Sequence, residues 1–155
     1  CDPGKRAVSD LQAALKVIAA FQKQHDVILG LNESEGVQVG KALGIECGGR
    51  DEASVTKLAA DIRAKLGVHT CCVHPVAFAA AADARGAVAV PGPYTPKPKI
   101  STGAGDHFNA GFCVGRILGL DLAQSLQTGV GTSGYYVRNA ASPSIEQLAK
   151  FLKSL

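Results

Sequence analysis

The segment that most constrains this chain is residues 101–112, which read STGAGDHFNAGF. Small residues lead into the carboxylate of Asp106, and an apolar pattern with helical spacing begins at that point. Residues with little or no side chain let successive backbone N–H groups turn toward one point, and the start of a helix adds its positive end. The segment therefore predicts an anion-binding turn at the head of a helix. Because a second negative charge repels a bound phosphate, Asp106 is better suited to act as a base than to belong to a pure phosphate site.

The part of the chain before this motif alternates between helical and strand-like hydrophobic patterns. Apolar residues recur at helical spacing in some segments and form short unbroken runs in others, as in buried parallel strands. The predicted elements are a helix at 9–24 with Ser9 as its N-cap, a strand at 27–31, a helix from the cap Asn32 to about 43, a helix at 53–66 that ends at Gly67, and strands at 69–74, 77–83 and 87–90. The last two strands are expected to form a hairpin around Arg85 and Gly86.

Residues 91–99, rich in proline, predict an extended loop that leads directly into the glycine motif. Three helices follow at about 106–118, 122–138 and 144–152, and the second is expected to be weakened at Gly129 and Gly131. Helices and strands in this order favour a layered α/β domain.

Composition narrows the class of protein. The 155 residues are 46% hydrophobic, which argues against a disordered chain. Lys and Arg number 16 and Asp and Glu 13, a net charge of +3 without a basic stripe, so nucleic acid is not an expected partner. Since no apolar stretch reaches the roughly 18 residues of a membrane span, no membrane partner is expected.

The number and spacing of the cysteines indicate the redox state of the cellular compartment. The 5 cysteines are odd in number and form no C-x-x-C pair, and Cys71 and Cys72 are adjacent in an apolar run. This usage is typical of reduced, buried thiols in a cytoplasmic protein. The chain has no methionine and opens on Cys1-Asp2-Pro3-Gly4, which looks like the end of a strand entering a loop. We therefore expect an N-terminally truncated chain.

The motif Thr102-Gly103-Ala104-Gly105-Asp106, followed by Asn109-Ala110-Gly111-Phe112, resembles the C-terminal signature of the PfkB, or ribokinase-like, carbohydrate kinases. Upstream, Asn32-Glu33-Ser34-Glu35 resembles the N-x-x-E element of that family. The resemblance implies a partial ribokinase-like fold, a layered α/β/α (Rossmann-like) domain. Residues 1–155 would then be the C-terminal, ATP-binding and catalytic portion of a single PfkB-type kinase domain, without its N-terminal half and lid.

Such a resemblance implies transfer of the γ-phosphoryl group of ATP to a hydroxyl of a sugar or nucleoside. Carried over residue by residue, Asp106 is the base that takes the proton from the attacking hydroxyl. The backbone of Gly103, Ala104 and Gly105 forms the anion hole for the phosphoryl oxygens.

The resemblance also implies contacts with the nucleotide and its metal. Asn32 and Glu35 are expected to act through Mg²⁺ and its waters. Thr102, Asn109 and Asn139 are expected to bind the nucleotide, and residues 91–99 and 134–139 to wall the adenine. The sugar-selecting residues belong to the family's N-terminal half, as do the lid strands through which members pair into homodimers.

The chain departs from the family pattern at several positions. His107 stands where Thr, Ser or Ala is more usual, and its place beside Asp106 suggests that it tunes this carboxylate electrostatically. Ile100 replaces a common acidic residue. His74-Pro75 stands where a Leu-Gly-x-x-Gly type of turn is usual, so the nucleotide edge is expected to be atypical.

Other interpretations of the same residues stay open. Asp106 would favour the helix dipole by about 0.3–1 kcal/mol without any catalytic role. Asn32 and Glu35 also fit an N-cap followed by an acid in the first turn, a pairing that needs no metal. The whole cradle also fits a nucleotide-binding or regulatory module without turnover. A dinucleotide-binding Rossmann domain is disfavoured because the glycine cluster lies late in the chain.

Overall fold

A computed structural model describes residues 6–155 of the chain, so the strand end expected at Asp2 and Pro3 lies outside the described residues. The elements in chain order are α1 (Val8–Phe21), β1 (Ile28–Asn32), α2 (Glu33–Ala42), α3 (Glu52–Leu66), β2 (Thr70–His74), β3 (Phe78–Asp83), β4 (Gly86–Pro91), α4 (Ala104–Ile117), α5 (Leu122–Asn139) and α6 (Ile145–Leu152). They form two compact units. The first unit runs through His74 and includes Ala80–Val88, and the second comprises Pro75–Ala79 and Ala89–Leu155.

The first unit is built on the parallel pair of β1 and β2. These strands align in register from Ile28 opposite Thr70 to Asn32 opposite His74. Short apolar runs predicted both strands, and β2 is buried along nearly its whole length, as a strand covered on both faces must be. Helix α3 packs against β2 and α2 packs against α3, which buries Ile62 completely. The carboxyl ends of β1 and β2 therefore lie side by side.

Of the three helix caps predicted in this unit, two are confirmed. Asn32 caps α2, and Gly67 ends α3 in the left-handed conformation, as predicted. The prediction of Ser9 as the cap of α1 is wrong. The cap is Ala7, whose carbonyl accepts hydrogen bonds from the N–H groups of Asp10 and Leu11, so Ser9 lies inside the first turn. An apolar cap without a side-chain hydrogen bond leaves no sequence signal.

The sheet has the strand order β1-β2-β3-β4, and β3 is antiparallel to β2. The turn between β3 and β4 is the predicted one. The buried carboxylate of Asp83 accepts hydrogen bonds from the backbone N–H of Arg85 at 2.8 Å and from its guanidinium at 3.2 Å. Gly86 follows with a φ of 147°. Asp83 thus fixes the hairpin by pairing with a residue two positions away.

The second unit contains α4, α5 and α6. Helices α4 and α5 approach closely because Gly111 and Gly115 of α4 face small residues of α5. The hydroxyl of Thr128 donates to the carbonyl of Gly111 at 2.9 Å across this interface. Phe112 and Leu126 are fully buried in the same unit.

The expectation that Gly129 and Gly131 weaken α5 is wrong, since the helix runs unbroken from Leu122 to Asn139. A methyl group added at Gly129 would lie 2.9 Å from the ring of Phe108. One added at Gly131 would lie 2.5 Å from Leu152 of α6. Both glycines therefore allow neighbouring groups to pack against α5, and this packing outweighs the low helix propensity of glycine.

The proline-rich loop of residues 91–99 is attached to α5. The N–H of Lys99 donates to the carbonyl of Val137 at 2.8 Å, and Arg138 donates to the carbonyl of Tyr94 at 3.1 Å. Pro93 packs directly on Gly134. Over residues 6–155, none of the helices combines the length and the apolar character needed to cross a membrane.

Candidate active site

The glycine motif forms a tight turn immediately before α4. The N–H of Ala104 donates to the carbonyl of Ser101 at 3.1 Å, which closes the turn over four residues. Gly103 has φ 87° and ψ −1°, the values of the third residue of a type II turn, and it is also the N-cap of α4. A residue with a side chain adopts this left-handed conformation only at a cost, so the turn requires glycine here.

The turn leaves backbone donors unused at the helix start. Within residues 6–155, the N–H groups of Gly105 and Asp106 donate no hydrogen bond, as is usual for the first turn of a helix. The expected anion hole included the backbone of Ala104, but its N–H already donates to Ser101. Within the described residues the N–H of Gly103 is unused as well, so the donors available to an anion around the turn are those of Gly103, Gly105 and Asp106.

Asp106 lies in the first turn of α4 and is exposed to solvent. Across the described part of the chain, its carboxylate makes no hydrogen bond or ion pair. An unengaged carboxylate beside unused N–H donors can accept a proton from a ligand without first breaking a protein contact. Asn109 lies three residues further along the same helix and is half-buried, so it occupies the same face of α4.

Two aromatic side chains hold the turn, His107 and Tyr136, and no local sequence pattern connects them. The hydroxyl of Tyr136 donates to the carbonyl of Thr102 at 3.0 Å. The ring of His107 stacks on Tyr136 with centroids 3.6 Å apart and an interplanar angle of 12°. His107 Nδ1 lies 2.8 Å from the carbonyl oxygen of Gly103, and Nε2 lies 2.8 Å from the hydroxyl of Ser142. The side chain of His107 is thus engaged with the turn and the loop after α5.

Asn139 is the last residue of α5 and is exposed. Its side-chain amide donates to the carbonyl of Tyr135 at 2.9 Å, which leaves the amide oxygen and the second amide N–H for a ligand. The two stretches expected to wall the adenine pack against each other through Pro93 and Gly134. Any adenine site there has to use the exposed edges of these segments rather than a gap between Pro93 and Gly134.

Asn32 and Glu35 belong to the first unit, where they form a capping box. The amide oxygen of Asn32 accepts from the N–H of Glu35 at 2.9 Å, and Glu35 Oε2 accepts from the N–H of Asn32 at 2.8 Å. The two residues therefore form the N-cap and first-turn acid pair that needs no metal. His74, opposite Asn32 at the end of β2, was not predicted as part of this edge. Burial lowers the pKa of His74 to about 4, so it is neutral at pH 7.

The donor set at this edge fits a hydrated Mg²⁺. Among residues 6–155, Glu35 Oε1 makes no hydrogen bond or ion pair, and the side chain is half-buried beside exposed Asn32. No cluster of three or more His, Cys, Asp or Glu side chains suited to a metal occurs in residues 6–155. Magnesium keeps several waters and needs one or two carboxylates plus substrate phosphates. A single free carboxylate oxygen is compatible with that requirement and incompatible with a metal that needs an all-protein cage.

Comparison with known proteins identifies the family. A family model described as prokaryotic ketohexokinase matches residues 1–155. The chain belongs to this family. A ketohexokinase of Haloferax volcanii is 30% identical over 153 residues, which are 97% of this chain and 40% of the relative. The chain thus spans two fifths of the length of this ketohexokinase.

Solved structures show the same fold. A nucleoside kinase of Methanocaldococcus jannaschii, described as an archaeal member of the ribokinase family, has a TM-score of 0.73 at 18% identity, over 99% of this chain and 46% of its own. A ribokinase of Arabidopsis thaliana complexed with ribose and ATP has a TM-score of 0.66 at 21% identity, over 81% of this chain and 40% of its own. The ribokinase-like α/β fold class predicted from the sequence is therefore confirmed, with this chain corresponding to part of the fold.

Proposed function

We propose that this ketohexokinase-family chain carries the catalytic base and the phosphoryl-binding turn of an ATP-dependent sugar kinase. The observation that carries the proposal is the geometry at the head of α4. A glycine-dependent turn leaves the N–H groups of Gly105 and Asp106 free, and the exposed carboxylate of Asp106 stands beside them. This pairing of anion donors with a base suits phosphoryl transfer to an alcohol.

In the proposed reaction, Asp106 accepts the proton of the acceptor hydroxyl. The hydroxyl oxygen then forms a bond to the γ-phosphorus of ATP, and the bond from that phosphorus to the oxygen bridging to the β-phosphate breaks, releasing ADP. Charge on the γ-phosphoryl oxygens is met by the N–H groups of Gly105 and Asp106 and by the positive end of α4. Asn109, on the same helix, is proposed to contact the nucleotide phosphates, and Thr102 and Asn139 the rest of the nucleotide.

Mg²⁺, when bound with ATP, would neutralise phosphate charge. Glu35 is the proposed contact, through its free Oε1 and a metal-bound water, while its Oε2 keeps the capping hydrogen bond to Asn32. The capping box orients this carboxylate at the end of β1, so it serves the helix and the proposed metal contact at once.

The substrate class follows from the relative. The Haloferax volcanii protein is named a ketohexokinase and is 30% identical to this chain. We therefore propose a ketohexose as the phosphoryl acceptor and a place for the protein in carbohydrate metabolism.

The proposal predicts the effect of Asp106→Asn in the complete gene product. Turnover with ATP and a ketohexose should fall by about 10² to 10⁴, the usual contribution of a general base. ATP affinity, measured by calorimetry with Mg²⁺, should stay within about tenfold and shift toward tighter binding, because the substitution removes a negative charge beside the phosphates. An aldose and a nucleoside assayed in parallel test the acceptor class.

Asp121→Asn is a matched control. Asp121 is another exposed aspartate at a helix start, where its side chain accepts from the N–H of Gln124 at 2.8 Å. Asparagine caps equally well, so this variant should keep full activity. Comparable loss of ATP binding and turnover in Asp106→Asn would contradict the base role. An unaltered protein that binds ATP but phosphorylates none of the three acceptors would support a regulatory module instead.

A further inference from the structure

His107, Tyr136 and Ser142 form a cluster around the turn that precedes α4, and the proposed function leaves it unused. Its members come from α4, from the last turns of α5 and from the loop after α5. Each has a defined hydrogen bond: Tyr136 to Thr102, and His107 to both Gly103 and Ser142. We call these three side chains the turn clamp.

The clamp fixes two successive peptide planes. The carbonyl of Thr102 belongs to the planar unit that carries the N–H of Gly103, and the carbonyl of Gly103 belongs to the unit that carries the N–H of Ala104. Tyr136 holds the first carbonyl at 3.0 Å, and His107 holds the second at 2.8 Å. The peptide units that carry the N–H groups of Gly105 and Asp106 come next, in the first turn of α4, so the two held planes set the direction from which both donors start.

The chemistry of the contacts defines the state of the histidine ring. A backbone carbonyl can only accept, so Nδ1 of His107 carries the proton in its bond to Gly103. In the neutral ring, Nε2 then accepts from the hydroxyl of Ser142. The carbonyl of Gly103 therefore selects the tautomer, and the hydroxyl of Ser142, which can donate or accept, adapts to it and holds the other side of the ring.

Stacking fixes the remaining freedom of the ring. The two rings are nearly parallel, with an interplanar angle of 12° and centroids 3.6 Å apart, so His107 cannot rotate without leaving Tyr136. Tyr136 itself lies on α5, which packs closely on α4. The turn is therefore held by a ring whose own position is set by the packing of α5 on α4.

We propose that His107 is a positioning residue of the kinase site, which acts with Tyr136 and Ser142 to aim the Gly105 and Asp106 N–H groups at the transferring phosphoryl group. This inference rests on the proposed function and assigns His107 a role different from electrostatic tuning of Asp106. Since charge on the phosphoryl oxygens is redistributed in the transition state, a misaimed donor should lower kcat more than it raises KM.

The test measures kcat and both KM values of variants in the complete gene product, with activity expressed per folded molecule. His107→Ala should lower kcat by about 10 to 100-fold and change the KM values by less than about threefold. Tyr136→Phe keeps the ring and loses only the hydroxyl, and should lower kcat by about 3 to 10-fold. Ser142→Ala should have a smaller effect in the same direction.

Rescue by a conservative variant separates positioning from general packing. His107→Asn can donate to the carbonyl four residues before it, just as Asn139 donates to Tyr135 in this chain. It should therefore recover at least fivefold in kcat over His107→Ala, whereas His107→Phe, which stacks without donating, should not.

His25→Ala is the control, because His25 is an exposed histidine that has no place in the proposed site. It should leave kcat unchanged. The inference is overturned if His107→Ala or Tyr136→Phe keeps kcat within twofold of the unaltered protein. If His107→Ala does not fold, Tyr136→Phe decides alone. Loss of turnover in Asp106→Asn together with full activity in Tyr136→Phe would reject the clamp and leave the kinase proposal standing.

Discussion

Gly103 sets the backbone direction at the start of α4, and its conformation can be tested directly. Its φ of 87° is unfavourable for any residue with a side chain, and a methyl group there would lie 3.3 Å from the hydroxyl oxygen of Tyr136. Gly103→Ala should lower the free energy of unfolding by about 1–2 kcal/mol. It should also lower kcat at least tenfold, since the turn must shift away from Tyr136. Urea denaturation and steady-state kinetics measure the two effects.

Gly119 provides the comparison for Gly103. It follows α4, has a φ of 75°, and a methyl group added to it would meet no atom within 4 Å. Gly119→Ala should therefore lower the free energy of unfolding about as much as Gly103→Ala does, while leaving kcat unchanged. Equal losses of activity in the two variants would show that general destabilisation, rather than the turn, explains the result.

Single residues with local partners were predictable from the sequence. Asn32 and Glu35 are three positions apart, and their capping box follows from that spacing. Gly103 and Asp106 could be named as candidate site residues because a small-residue turn and a helix start are local sequence patterns. The contacts of His107 were not predicted, because Tyr136 and Ser142 lie 29 and 35 positions further along the chain. Stacking between such distant residues leaves no local signal.

At the scale of elements, the interface of α4 and α5 depends on glycine rather than on large apolar side chains. A methyl group at Gly111 would lie 2.6 Å from the backbone oxygen of Thr128 and would also clash with Thr132. Helix propensity alone favours alanine over glycine by about 1 kcal/mol. Because backbone cannot move aside as a side chain can, we expect Gly111→Ala to destabilise the protein by about 2–4 kcal/mol despite this gain.

A substitution at the neighbouring Ala110 measures the effect of helix propensity alone. Ala110 is exposed on the same helix, and Ala110→Gly should cost only about 1 kcal/mol. Thermal or urea unfolding of both variants checks the comparison. A Gly111→Ala protein as stable as the unaltered one would mean that α4 and α5 do not pack as closely as described.

The same interface explains where element predictions failed. Propensity identified Gly129 and Gly131 as weak positions, yet α5 continues through both. Propensity describes an isolated helix, whereas Phe108 and Leu152 occupy the space that these glycines leave. The hydrophobic period predicted that the helix exists, and only the tertiary contacts explain why it carries glycine.

At the scale of the molecule, the order of helices and strands was predictable, because each hydrophobic period and each stop signal is local. The predicted parallel strand at residues 27–31 lies within one residue of β1, and the hairpin formed where Arg85-Gly86 indicated it. The alignment of Asn32 with His74 was not predictable. It depends on the register between two strands separated by α2 and α3.

His74, which this register places opposite Asn32, makes the stability of the protein depend on pH. Burial lowers its pKa from 6.5 to about 4, so the folded state resists protonation that the unfolded chain accepts. Between pH 6.5 and 4 the unfolded state therefore binds more protons, and stability must fall as the pH falls. The loss attributable to His74 should be about 2–3 kcal/mol between pH 7 and pH 4.

The measurement is the free energy of unfolding in urea at several pH values for the unaltered protein and for His74→Gln. Carboxylates also titrate near pH 4, and both proteins share that contribution, so the difference between the two curves isolates the histidine. This difference should grow as the pH falls from 6.5 to 4 and stay constant above pH 7. His25→Gln, which alters an exposed histidine, should reproduce the unaltered curve. Parallel curves for His74→Gln and the unaltered protein would mean that His74 takes up its proton as readily when folded as when unfolded, and that the end of β2 is open to water.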